Sequence, residues 1–156
     1  MVNLYRVVEK QEKAKQELSK SNLCLTISLI FLGLIGIISF LFDLVIIISI
    51  IPAIFFIIAL IVFFIKSFQL NSTNKEISKN IQRLFESTIK ANLSEDGQVY
   101  AECYRQDSNY IYFEIDIYDE NITSDDLECV IQSLTNEVCV VIKEGLHMTY
   151  NFIDTK

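Results

Sequence analysis

The chain has 156 residues, with 13 Lys plus Arg against 20 Asp plus Glu, a formal net charge of -7, one Pro, one His and no Trp. Its mean hydropathy is +0.36 even though 21% of its residues are charged, so the apolar residues are segregated into blocks. An evenly patterned soluble domain is excluded, and outside the largest block there is room for one small globular unit.

Residues 3–20 have helical spacing. Leu4, Val7, Val8, Gln11, Ala14 and Leu18 fall on one side, while Glu9 with Lys13 and Lys13 with Glu17 form i, i+4 pairs on the other. Residues 1–22 therefore read as an N-terminal amphipathic helix with a thin apolar stripe. It suits an interfacial or partner-binding arm, or a solvated extension of the segment that follows.

From Leu23 to Ile65 the only charge is Asp43. As one straight helix this run would measure about 64 Å, twice the ~30 Å hydrocarbon thickness of a bilayer, so two crossings are expected. Asp43 divides the run into spans of bilayer length, 23–42 and 44–65, within a transmembrane hairpin over 23–66. A carboxylate at mid-membrane costs roughly 3 kcal/mol, whereas at a hairpin tip it stays in water and can cap the second helix. A turn at Pro52 would leave too short a stretch before Lys66, so Pro52 is expected inside the second span, where it frees the carbonyl of Ile48. The run is too long for a signal-peptide core and no small-x-small cleavage site follows it. In an antiparallel pair folded at Asp43, the small residues Gly33 and Gly36 meet Ser49 and Ala53 at matching depth, where they would let the backbones approach.

Basic residues flank the run on both sides, with Arg6, Lys10, Lys13, Lys15 and Lys20 before it and Lys66, Lys75, Lys79 and Arg83 after it; none lies at the tip. By the positive-inside rule both termini are expected in the cytoplasm. On that topology the N-x-[ST] sites at Asn71, Asn92 and Asn121 never meet the glycosylation machinery. Cys24, Cys103, Cys129 and Cys139 lack paired spacing and read as reduced thiols.

Residues 67–94 form the expected connecting helix. Thr73-Asn74-Lys75-Glu76 has capping-box spacing, and Ile77, Ile81, Leu84, Phe85, Thr88 and Ile89 follow on one face. From Gly97 the period changes to two. Val99, Ala101 and Cys103 alternate with Tyr100, Glu102 and Tyr104, then Ile111, Phe113, Ile115 and Ile117 alternate with Tyr110, Tyr112, Glu114, Asp116 and Tyr118. These are predicted to be two strands joined by the polar turn Gln106 to Asn109. Thr123 or Ser124 would cap a helix carrying Leu127, Val130, Ile131 and Leu134, with Asp125 and Asp126 in its first turn. Glu137 to Lys143 and Leu146 to Ile153 are predicted to form a second hairpin around Glu144-Gly145. Residues 95–156 thus read as a cytosolic α+β domain, an antiparallel four-stranded sheet with two helices. The whole is expected to be an α+β membrane protein.

Charge is split between the two halves. Residues 1–94 carry 10 basic and 6 acidic side chains, and residues 95–156 carry 3 basic and 14 acidic ones. Nucleic-acid binding is therefore disfavoured, since phosphate contacts need a basic face. The carboxylates Glu114, Asp116, Asp119, Glu120, Asp125 and Asp126 lack EF-hand spacing, and Cys103, Cys129, Cys139 and His147 lack that of a zinc site. No metal or cofactor is expected. His147, on a strand face with Thr149 and Asn151, has no nucleophile motif beside it, and no glycine loop cradles phosphate. The informative candidates are Tyr100, Tyr104, Tyr110, Tyr112 and Tyr118, which alternate onto the polar face of the first hairpin. Tyrosine contributes large contact area at low entropy cost. Cross-strand packing of the rings is the alternative.

The expected protein is a non-enzymatic interaction module held in a bilayer, an accessory or regulatory subunit of a bacterial membrane complex, with a protein partner or a second copy of itself. The Ile, Asn and Lys bias suits an AT-rich bacterial genome, and hence the inner membrane. The alternative is a two-span effector whose hairpins oligomerise and permeabilise the membrane when the domain senses a signal. A lipid-anchored enzyme has the least support, because no catalytic constellation is present.

Overall fold

The computed structural model describes residues 2–42, 47–106, 110–119, 122 and 124–153. Two long helices, α1 (Val2–Phe42) and α2 (Ile47–Lys90), precede β1 (Gln98–Gln106), β2 (Tyr110–Tyr118), α3 (Ser124–Ile142) and β3 (Gly145–Phe152). Two compact units result: Glu9–Asn74, and Met1–Val8 together with Lys75–Lys156. Both helices contribute to both units.

In the first unit the chain makes helices because nothing interrupts them. Gly33 and Gly36 are the only glycines before residue 97, and hydroxyl side chains bond the preceding turn rather than breaking it. Thr26 Oγ1 donates to the Asn22 carbonyl at 2.9 Å, Ser28 Oγ to that of Cys24 at 2.8 Å and Thr73 Oγ1 to that of Gln69 at 3.0 Å. Pro52 stands inside α2. α1 is described to Phe42 and α2 from Ile47; Asp43, the expected tip, lies outside the described residues, as does the side chain of Ser49. Two contacts fix the pairing as antiparallel. Gln11 Nε2 donates to Asn74 Oδ1 at 3.0 Å and Lys66 Nζ to Glu17 Oε2 at 2.7 Å, each pair placed symmetrically about Phe42 to within a residue. The bond from Lys66 and its charge lower the Glu17 carboxyl below its ordinary pKa. This pairing therefore contributes above the ordinary carboxylate range and is lost as pH falls through the lowered value.

Both helices are long and apolar enough to cross a membrane, and only 6% of each apolar stretch is buried. A core helix of a water-soluble domain would have most of that surface covered. Here Ile30, Phe31, Leu34, Ile54, Phe55, Ile57, Ile61 and Phe64 all stand exposed.

The second unit is a mixed three-stranded sheet in the order β1-β2-β3, with helices on one face. β1 and β2 pair antiparallel as expected, from Gln98 opposite Tyr118 to Gln106 opposite Ile111; residues 107–109 of the expected turn lie outside the described residues. β3 pairs parallel to β2, from Tyr110 beside Gly145 to Ile117 beside Phe152. The expected four-stranded antiparallel sheet is thus corrected in two respects: Glu137 to Ile142 is the end of α3 rather than a strand, and the strand after it runs parallel to its neighbour, so no second hairpin forms around Glu144-Gly145. Parallel neighbours need a crossover to carry the chain back, and 19 residues of helix supply it. The β-branched run misleads because Val138, Val141 and Ile142 also continue the helical stripe of Leu127, Ile131 and Leu134, and all six are buried. Val140, which only a strand would bury, is 76% exposed. α3 ends on Lys143 in the left-handed region, φ 56°, with its N–H donating to the Cys139 carbonyl at 3.0 Å.

A second correction concerns residues 73–76. Their capping-box spacing does not start a helix, because α2 runs through it unbroken. The stripe beyond it is real. Ile77, Ile81, Phe85 and Ile89 are buried in one cluster with Leu4, Val7 and Val8 of α1, the inner face of the sheet (Ala101, Ile111, Phe113, Ile115, Ile117) and α3. The Phe85 and Phe113 rings stack at 6.5 Å. Replacing Phe85 by Ala is expected to cost about 3–5 kcal/mol through the cavity it leaves, whereas Val140→Ala should stay within about 0.5 kcal/mol. Denaturant unfolding of the full chain in detergent, followed by circular dichroism, checks both.

Candidate functional site

The outer face of the sheet, opposite the helices, gathers what the sequence singled out. Alternation along β1 and β2 sends Tyr100, Glu102, Tyr110, Tyr112, Glu114, Asp116 and Tyr118 outward, and the parallel register sets His147 beside Tyr112, Thr149 beside Glu114 and Asn151 beside Asp116. A β-bulge between Cys103 and Arg105 changes the count on β1, so that Arg105 stands opposite Tyr112.

The five tyrosines form two groups. At one end Tyr112 is a hub: its ring is parallel to His147 at 5.3 Å, tilted against Tyr104 at 6.0 Å and Tyr110 at 6.3 Å, and Arg105 Cζ lies 5.2 Å from its centroid. Tyr110 closes the group against His147 at 5.5 Å. At the other end Tyr100 meets Tyr118 edge-on at 5.8 Å. Ring packing and exposure coexist, since Tyr100, Tyr104 and Tyr110 remain 58%, 57% and 44% accessible. The rings therefore pair across strands, as in the packing alternative, and still offer faces and hydroxyls to solvent.

A carboxylate band separates the groups. Glu102 stands directly opposite Glu114, a pairing that like charges disfavour, and Asp116 follows two residues along. The Asn151 amide donates to Glu114 Oε1 and Asp116 Oδ1, both at 3.0 Å. The surface thus offers π faces at both ends and acceptors between, the complement of a partner carrying Lys or Arg among apolar side chains.

The two sheet edges differ. On β1 the Ala101 N–H is satisfied by Glu86 Oε1 of α2 at 3.1 Å, and Gln106 Oε1 accepts from Ser78 at 3.1 Å. β3 has no Asp, Glu, Lys, Arg or Pro from Gly145 to Phe152, so it lacks the usual devices that keep an edge from pairing.

Sequence reasoning placed the tyrosines and the face of His147. It missed Arg105, because the bulge carries no glycine to announce it, and the Tyr112–His147 stack, because the parallel pairing of β3 is not written in local periodicity. Of the residues expected to pack the hairpin, Gly33 and Gly36 lie on α1 where an added Cβ would meet no atom of the described residues within 4 Å, and Ala53 is half-buried on α2. Among the described residues no three of His, Cys, Asp and Glu group as metal ligands do, and the four cysteines are free thiols. Comparison with protein-family models, curated proteins and solved structures gives no match to this chain.

Gly145 is the residue on which the aromatic group closes, since a Cβ there would collide with the Tyr110 ring. Gly145→Ala is expected to destabilise the domain by about 1–3 kcal/mol and to abolish the Tyr110–His147 contact in nuclear Overhauser spectra. Tyr110→Ala in the same chain should recover most of that loss.

Proposed function

We propose that the chain is a membrane-anchored, non-enzymatic protein-interaction module, an accessory or regulatory subunit of a bacterial membrane complex. Its helix pair crosses the inner membrane as a hairpin with both termini in the cytoplasm, and the acidic α+β domain presents the tyrosine face to a protein partner. The observation that carries this reading is the outer sheet face: exposed aromatic rings around opposed carboxylates, beside an edge strand without charge. Such a surface is costly to leave bare and is suited to recognition. The net charge of residues 95–156 supports a basic protein surface as the partner over nucleic acid or anionic lipid.

A photo-crosslinking amino acid at Tyr110 or Tyr112 of the full chain, in cells, tests the proposal. The expected product is an adduct with one distinct protein, weakened about tenfold by Arg105→Glu or Tyr104→Ser at unchanged chain abundance. Membrane potential should not change on induction. Self-adducts alone together with depolarised cells would contradict the module and favour the permeabilising effector; absence of any adduct would also contradict it.

A further inference from the structure

The Ile153 N–H donates to the Ile117 carbonyl at 3.0 Å, and with the unbroken parallel register this fixes which residues of β3 turn their main-chain groups toward β2. His147, Thr149 and Asn151 do so. Leu146, Met148, Tyr150 and Phe152 therefore aim their N–H and C=O groups away from the sheet, where no hydrogen bond meets them among the described residues. The opposite edge is not open in this way. There Glu86 of α2 accepts from the Ala101 N–H, and β1 itself carries Glu102 and Arg105.

A row of main-chain donors and acceptors along a sheet edge is matched by another extended strand. Side chains then narrow the choice. Residues 95–156 carry 14 acidic side chains against 3 basic ones, so two copies of the domain repel over most of their surface, yet Gly145–Ile153 is the longest uncharged run in that stretch. A basic strand would find no carboxylate on β3 to answer it, whereas a second β3 brings the same uncharged pattern. On the helix side of the sheet Tyr150 and Phe152 are 37% and 36% exposed, and an added strand would cover them.

We infer that β3 pairs antiparallel with the β3 of a second copy, joining two three-stranded sheets into one about a two-fold axis normal to the sheet at Thr149. In that register Leu146 exchanges both main-chain bonds with Phe152 of the other copy, and Met148 with Tyr150, so none of the four is left open. On the outer face Thr149 meets Thr149, and His147 meets Asn151. Such an axis keeps like faces together, so the two tyrosine faces lie side by side on one surface. The pairing stands whatever partner that surface takes.

Disulfide trapping with copper phenanthroline tests the register in the full chain, purified in detergent with the exposed Cys24 and Cys129 replaced by Ser. Thr149→Cys is expected to oxidise to a dimer, because facing residues of a non-hydrogen-bonded pair lie about 4.5 Å apart at Cα, within disulfide reach. His147→Cys should give about tenfold less, since its own mate is displaced by four residues, roughly 13 Å. Co-expressing His147→Cys with Asn151→Cys should restore the dimer. Tyr150→Pro removes only an outward N–H, which an edge strand tolerates. Added to Thr149→Cys it should cut trapping about tenfold at unchanged circular dichroism, and Tyr150→Lys, an inward-pointing charge that keeps the N–H, should do the same. Trapping at Thr149→Cys no greater than at His147→Cys would overturn the pairing. So would a dimer undiminished by both Tyr150 variants, which would assign the contact to another surface. A photo-crosslinker at Thr149 that gives adducts in cells only with a different protein would overturn it as well, and assign the edge to a foreign strand.

Discussion

Two helices lying side by side can cover only the stripes they turn toward each other. Between residues 23 and 65 most side chains are large and apolar, and among the described residues most of that apolar surface faces outward. At roughly 1.5–3 kcal/mol for each large side chain kept in water, the total exceeds any ordinary folding free energy. A solvent of hydrocarbon removes the problem. Under the proposed membrane reading, lipid is as much a part of this unit's core as the side chains are, and the positions of the flanking charges, of Lys20 and Lys66 above all, follow from where that solvent ends.

The helices do not stop where the apolar run stops. Each has more than 40 residues, about twice what a bilayer needs, and their far turns provide buried residues of the second unit: Leu4, Val7 and Val8 from α1, Ile77 to Ile89 from α2. The sheet, with only three strands, could not bury Phe113, Ile115 and Ile117 by itself. Because its inner face is taken up by these helices and α3, the outer face is the one left open to solvent. The pattern of its residues, rings at both ends and carboxylates between, is a consequence of strand alternation plus a single bulge.

Much of this was legible in the chain. Long-period signals survive translation into three dimensions: the apolar run, the alternation of Ile111 to Ile117, and the stripe from Ile77 to Ile89 all correspond to what is observed, because each is dictated by burial on one side of a regular element. Signals that compete were misread. Val138 to Ile142 satisfies a strand by propensity and a helix by stripe, and the need for a crossover between parallel strands decides for the helix. Thr73 to Glu76 has cap spacing, yet the intact helix on either side makes a new start unnecessary. The candidate site was half visible for the same reason. Alternation placed the tyrosines, whereas the neighbours Arg105 and His147 depend on a bulge and on a strand order that no window of sequence contains.

The central claim is that lipid, and neither water nor protein, covers the exposed faces of α1 and α2. The most direct measurement places a nitroxide at Ile30 or Ile57 of the full chain in bilayers and compares its collisions with oxygen and with a water-soluble nickel chelate. Lipid contact predicts frequent collision with oxygen and little with nickel at both positions. Preferential collision with nickel, or shielding from both reagents as in a protein interior, would contradict it.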